Sequence, residues 1–191
     1  MKYLYILFAL LFLSSCGTKK NATSESEDGT KLESHKVSML IQYRKPYCGG
    51  ARPSPEMEKG TLHPMANKEF FIKASASNHD SIPVFEYFKT DKDGRAEVYL
   101  PDNFYSIFQK RKDYTFEEFK KAELKRYEGK DLEYTGDDSC LKLFWSSPDG
   151  FFSNIGESVS HEFEVRSTCY SDFNFCMKFT GPYPPWFNQR W

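Results

Sequence analysis

The residues of this chain with most chemistry to offer are a glycine-arginine loop, four histidines and five cysteines. In Cys48-Gly49-Gly50-Ala51-Arg52-Pro53, Gly49 and Gly50 let backbone N–H groups converge on an anion, and Arg52 adds a planar charged fork. The same loop has a structural use: the glycines make room for a disulfide at Cys48, and Arg52 pairs with a carboxylate or with carbonyls. Acid–base chemistry would need groups gathered from distant loops. His63, Asp80 and His161 are the set to test for a hydrolase, because triads assemble in space and not in chain order. Stacking on a sugar is open to Trp145, Trp186 and Trp191; Trp145 reads as core, while Trp186 and Trp191 lie in the tail as anchors or packing residues. Metal chemistry finds no support. His161-Glu162-Phe163-Glu164-Val165 opens like H-E-x-x-H, yet Val165 stands where the second His belongs, and its alternation is that of a strand. A calcium loop with Gly94 in sixth place would need oxygen ligands at Lys89 and Leu100. Zinc spacings, a P-loop, a dinucleotide fingerprint and a G-x-S-x-G elbow are all missing, so the sequence implies neither metal nor cofactor.

The first sixteen residues, MKYLYILFALLFLSSC, place the chain in the cell. Lys2 is a positive n-region, and Tyr3 to Leu13 is an apolar run too short to remain across a bilayer. Small residues follow, as in an export signal. Leu13-Ser14-Ser15-Cys16 resembles the lipobox of bacterial lipoproteins. The resemblance implies that residues 1–15 are removed and that Cys16 becomes an acylated N-terminus, a membrane anchor. Gly17 follows in place of the aspartate that retains such proteins in the inner membrane of some bacteria, so the outer membrane is favoured. Setting Cys16 aside leaves Cys48, Cys140, Cys169 and Cys176, an even number in an oxidising compartment. Two disulfides are expected, with three connectivities open. The short insert between Cys169 and Cys176 favours Cys169–Cys176, and hence Cys48–Cys140.

Export would leave 176 residues, enough for one domain with a real core. Only Lys2 is lost among the charges, so 26 basic and 27 acidic residues become a formal charge of −2. That balance excludes the phosphate neutralisation on which nucleic-acid binders depend. Residues 16–35 carry almost no apolar side chains and read as a tether. The folded body is expected over 36–191. Strands are expected at 37–43, 67–74, 84–90, 95–100, 104–109 and 159–166, from alternation and from turn signals at 91–94 and 101–103. Residues 44–65 read as irregular. Thr115 and Glu118 form a capping box for a helix that Gly129 stops, with Phe116, Phe119, Leu124 and Tyr127 on its inner side. A second short helix is expected over 137–145, ended by Pro148-Asp149-Gly150, and 181–186 is polyproline-like.

One stretch carries a family resemblance. Thr90-Asp91-Lys92-Asp93-Gly94, an alternating strand, Leu100-Pro101 and Tyr105 resemble the carboxypeptidase-regulatory-like and transthyretin-like domains, with Asn103 at a position usually held by glycine. The resemblance implies a mainly β, single antiparallel sandwich of prealbumin type, here with one or two short inserted helices. The Cys48 loop, Cys140 near Trp145, Cys169 to Cys176, and Gly181-Pro182-Tyr183-Pro184-Pro185 are together similar to exported bacterial proteins built on that sandwich. This implies fold and compartment but no chemistry. Three functions follow as expectations: a lipid-anchored, non-catalytic binding or structural module with an envelope protein or glycan as partner; an envelope hydrolase; or an accessory subunit of an outer-membrane complex.

Overall fold

Alternation in the first strand organises the body. In β1 (Ser34–Lys45), Val37, Met39 and Ile41 are buried while the residues between them are not. The computed structural model describes residues 33–49, 52–134, 136–169, 172 and 174–182, all within a unit spanning 32–191. The signal, Cys16, nearly all of the tether, Gly50, Ala51, Trp186 and Trp191 lie outside the described residues.

The further strands are β2 (Thr61–Pro64), β3 (Glu69–Lys73), β4 (Glu86–Lys89), β5 (Arg95–Pro101), β6 (Asn103–Gln109), β7 (Leu132–Tyr134), β8 (Gly150–Asn154), β9 (Val159–Arg166) and β10 (Met177–Phe179). The helices are α1 (Pro55–Glu58), α2 (Phe116–Tyr127) and α3 (Asp138–Ser146). One sheet is built around β1. Its residues 34–40 pair with β5 and 42–45 with β2, while β9 runs along 37–44 on the opposite edge. The second sheet has the order β4-β3-β6-β8, and β7 and β10 form a small separate pair. The pairing of β1 with β9 is parallel; the other pairs among the described strands are antiparallel, so the sandwich holds one mixed sheet.

Val37, Met39, Ile41, Phe70, Ile72, Val98, Leu100, Tyr105, Ile107 and Phe152 fill the space between the sheets. The sandwich has two distinguishable ends. At the near end β1 begins, Asn103 of β6 faces Asn154 of β8, and the β5–β6 turn crosses from one sheet to the other. Asp102 knits this end, meeting His35 at 3.2 Å and accepting the N–H of Gly156. At the far end α2, β7 and α3 are inserted between β6 and β8 around a second core of Phe119, Leu141, Phe144, Trp145 and Cys176.

Several expectations hold in detail. The capping box at Thr115 and Glu118 is formed, and Gly129 has φ +71 just beyond the helix. Trp145 is core, with its indole N–H donated to the carbonyl of Tyr114. Asp91 clasps its turn by accepting the N–H groups of Asp93 and Arg95, both at 2.8 Å. Gly94 there has φ +78, and a Cβ on it would stand 2.5 Å from the carbonyl oxygen of Ile41.

Others are corrected. The disulfides are Cys48–Cys169 and Cys140–Cys176, not Cys48–Cys140 and Cys169–Cys176. The cause is the parallel pairing: with Arg44 beside Arg166, both chains leave the sheet at the far end, which brings Cys48 level with Cys169. Nearness in sequence had pointed elsewhere. Cys176 is left to tie its segment to the first turn of α3. The stretch expected to be irregular holds α1 and β2, whose pairing with the far half of β1 supplies what its own four residues lack. Gly150 opens β8 instead of ending a segment. Asn103 is not left-handed; among the described non-glycine residues positive φ belongs to Asn67 and Asp172. On α2, Glu123 is buried and Leu124 only half-buried.

Non-reducing peptide mapping is expected to recover Cys48 with Cys169 and Cys140 with Cys176; a Cys169–Cys176 peptide would contradict the β1–β9 register. Loss of the long-range bridge in Cys48→Ser/Cys169→Ser should lower stability to urea by about 2–5 kcal/mol. A second expectation concerns acid. Backbone N–H groups of Arg95 and Asp93 hold the Asp91 carboxyl below its ordinary 3.8. A depressed folded value gives stability above the unfolded value and loses it as pH falls through the folded one. Asp91→Asn keeps an acceptor oxygen but cannot titrate, so its thermal midpoint should fall less steeply than wild type as pH drops from the ordinary 3.8 toward the depressed folded value.

Candidate functional site

The loop proposed for an anion is tied down at its first residue. Cys48 is fixed by its bridge to Cys169. Gly49 and Arg52 are exposed, and Gly50 and Ala51 between them lie outside the described residues. Arg52 makes no hydrogen bond or ion pair among the described residues. The paired arginine is instead Arg44, which sequence reading passed over. Its Nε and Nη2 donate to the two carboxylate oxygens of Glu164 at 2.7 and 2.6 Å, and Nη1 donates to the carbonyl of Lys59. This fork joins β1 to β9 across the parallel pairing, a structural task.

The expected hydrolase residues are dispersed. His63 is on β2, stacked on Tyr43 with its Nε2 2.9 Å from the hydroxyl of Thr61. Asp80 is in the β3–β4 connection, beside His79, whose Nδ1 lies 2.9 Å from the hydroxyl of Ser81. His161 is on β9 opposite Met39, between the rings of Phe152 and Phe163. The two histidine–hydroxyl contacts are exposed and local, two residues apart in sequence. Among the described residues neither has a carboxylate orienting the second ring nitrogen, as a nucleophilic triad has. A groove of about 550 Å³ runs between α2 and the β7–β10 pair, lined by Leu124, Tyr127, Leu132, Tyr134 and Met177 among others. Arg52, His63, Asp80 and His161 are not in it. Among the described residues no group of three or more His, Cys, Asp and Glu is arranged to hold a metal.

The structure does assemble one charged cluster, at the joint between the sandwich and its helical insert. A 3-10 turn, Lys110–Lys112, follows β6. Lys112 is buried; its ammonium donates to the carbonyl of Ser147 at 2.8 Å, meets Asp149 at 3.2 Å and lies over the ring of Phe144. Asp149 also accepts the backbone N–H of Gln109 and its side-chain amide. Arg111 lies over Phe144 as well and reaches buried Glu123, which accepts from Asn174. Burial pushes the Lys112 ammonium below the ordinary lysine value, and Asp149 opposes that shift. In sequence, Lys110-Arg111-Lys112 looks like a solvated run and Asp149 like a turn residue, so nothing marked them as partners 37 residues apart. The cluster orients the insert on the sandwich.

Exposed large apolar side chains are spread over the body, and three of the most exposed lie together at the other end. Phe104, Phe151 and Ile155 are 68%, 79% and 59% exposed. They belong to β6, β8 and the residue after β8, beside the near-end turn. Composition alone does not separate these aromatics from those of the core; the period-two alternation of FYSIFQ points Phe104 away from Tyr105.

The fold and this arrangement define a disulfide-stapled, mainly β sandwich carrying a small helical insert. No family model and no curated protein matches the chain. Among solved structures, the shaft pilin SpaA from Lactobacillus rhamnosus GG is 11% identical over 69% of this chain and 48% of its own, with a TM-score of 0.34. The chain thus spans about half the length of that pilin. The N-terminal domain of the same pilin is 12% identical over 69% of this chain and 93% of its own, at TM-score 0.35. A 9R-lipoxygenase from Cyanothece PCC8801 matches 72% of this chain at TM-score 0.23 and 11% identity, over 17% of its own length. Likenesses this distant assign no activity.

The joint yields a comparison of two variants. Asp149→Ala leaves the Lys112 charge buried without its partner and is expected to cost about 3–5 kcal/mol in urea unfolding. Lys112→Met fills the same space while Asp149 keeps both bonds from Gln109, and should cost less than half as much. Equal losses would show that the ion pair does not hold the joint.

Proposed function

We propose that this chain is a lipid-anchored protein of the cell envelope, held at the outer membrane through Cys16 and acting as a non-catalytic binding or structural module. The observation that carries the reading is the use of the cysteines. Cys48, Cys169, Cys140 and Cys176 are consumed by two bridges with Cα separations of 5.6 and 5.8 Å, which leaves Cys16 outside both. Bridges of this kind persist outside the cytoplasm. That agrees with the export signal and with a fifth cysteine set apart for acylation.

The regulatory-like sandwich is favoured by three details of the resembling stretch. Asp91 clasps the turn, Gly94 has φ +78, and the Tyr105 hydroxyl donates to the carbonyl of Pro101 at 2.9 Å. The non-catalytic part rests on the separation of His63, Asp80 and His161 over β2, a loop and β9. Arg52, exposed beside the Cys48–Cys169 bridge, is a contact for an envelope protein or glycan.

Replacement of the thiol tests the anchor. In native cells, Cys16→Ser is expected to move the protein from the membrane fraction to the soluble periplasmic or medium fraction and to abolish incorporation of labelled palmitate, with both disulfides intact. A variant that stays in the membrane fraction would refute the anchor at Cys16.

A further inference from the structure

We propose that the near end of the sandwich is a membrane-contact surface, in which Phe104, Phe151 and Ile155 enter the interfacial layer of a lipid surface with zwitterionic headgroups. The inference rests on the lipid-anchor reading above and adds an orientation to it: the body stands near end down.

The three side chains form one patch. Phe104 faces Ser153 across β6 and β8, and Ser106 faces Phe151, so Phe104 is the diagonal neighbour of both Phe151 and Ile155. Diagonal neighbours lie roughly 7–8 Å apart, within reach of aromatic side chains. Tyr105, Ile107 and Phe152 alternate with them and fill the core, so the patch is on the outer face of its sheet, at the edge strand. The same face is treated differently at the far end, where Phe71 and Phe108 are completely buried and stack on one another. On this face Phe71 and Phe108 are thus covered and Tyr87 beside them is half exposed, while Phe104, Phe151 and Ile155 are left the most exposed, at the end where β1 begins. Exposed aromatic residues rimmed by polar ones mark an interaction surface. Aromatic rings are also the side chains that favour the bilayer–water interface.

Chain connectivity selects the lipid surface as the occupant. Seventeen residues, 17–33, separate Cys16 from the first residue of β1. A flexible coil of that many residues would span about 23 Å root-mean-square. An acylated Cys16 therefore keeps this end, and not the far one, within reach of the bilayer. The local concentration is on the order of millimolar, enough for a contact too weak to recruit a free protein. No helix among the described residues is long and apolar enough to cross a membrane, so the contact is superficial. Charge selects the headgroup: the patch is bordered by the neutral Asn103 and Ser153 and by Asp102 and Glu157, whose carboxylates would repel an anionic surface.

The test uses the full-length chain purified from membranes in its acylated form and reconstituted in phosphatidylcholine vesicles containing brominated phosphatidylcholine. Phe151→Trp adds a reporter in the patch; Leu143→Trp, on exposed α3 at the far end, is the control, and the signal of the unsubstituted protein is subtracted from both. The proposal expects blue-shifted emission that brominated chains quench at residue 151, none at 143, and no gain from added phosphatidylglycerol. Unquenched emission at 151 from protein whose mass shows the acyl group overturns the orientation and leaves the anchor standing. Quenching that requires phosphatidylglycerol overturns the headgroup assignment. A blue shift without vesicles, in a Cys16→Ser/Phe151→Trp protein that sediments as a dimer, gives the patch to a second copy and overturns the proposal. Protein with no acyl group that ignores vesicles removes the anchor and this inference together.

Discussion

Strand β1 is hydrogen-bonded along both edges, and the rest of the body is arranged by that saturation. One edge is shared end to end by β5 and β2, and the other is taken by β9 in parallel. The hand-over between β5 and β2 falls at Ile41, whose N–H donates to Gly94 and whose carbonyl accepts from Met65. No side chain is tolerated at Gly94 for that reason. The parallel pairing has the longest reach. It sends β1 and β9 out of the same end of the sheet, which sets Cys48 against Cys169 and lets Arg44 grip Glu164. A bridge closing 121 residues constrains the unfolded chain far more than a local loop would.

Local structure was legible because it depends on nearby residues. The alternation of β5 and β9, the Asp91 turn, the capping box of α2 and the inner face of α3 are each written within a dozen positions. What sequence could not disclose depends on partners. β2 and β8 are strands because β1 and β6 offer them an edge; TLHP and GFFSN have little alternation of their own. The disulfide pairing followed from the parallel register, which no local pattern encodes. The Lys112–Asp149 contact required knowing that the insert folds back on the end of β6. Of the proposed site residues, Arg52 is exposed without a partner among the described residues, while Arg44 and Arg111, which do pair with carboxylates, lay unmarked in a strand and in a basic run.

The two ends of the sandwich use polar and apolar groups in opposite ways. At the far end, charges are buried and paired: Lys112 with Asp149, Arg111 with Glu123. Such pairs contribute little net stability, but breaking one is costly, so they fix the insert in one orientation. At the near end, Phe104, Phe151 and Ile155 stand in the open beside Asp102 and Glu157. A body moored by an acylated Cys16 gives both ends a reason. In the proposed orientation the near end would meet the bilayer, and the far end would carry the helical insert and the exposed Arg52 away from it.

The central claim is that a doubly bridged sandwich hangs from an acylated cysteine. The most direct measurement is the intact mass of the protein extracted from its native membranes without reduction. The account requires the mass of residues 16–191 plus fatty acyl groups, less four hydrogens for two disulfides. A mass that retains residues 1–15, or one with no acyl group and all cysteines free, would contradict it.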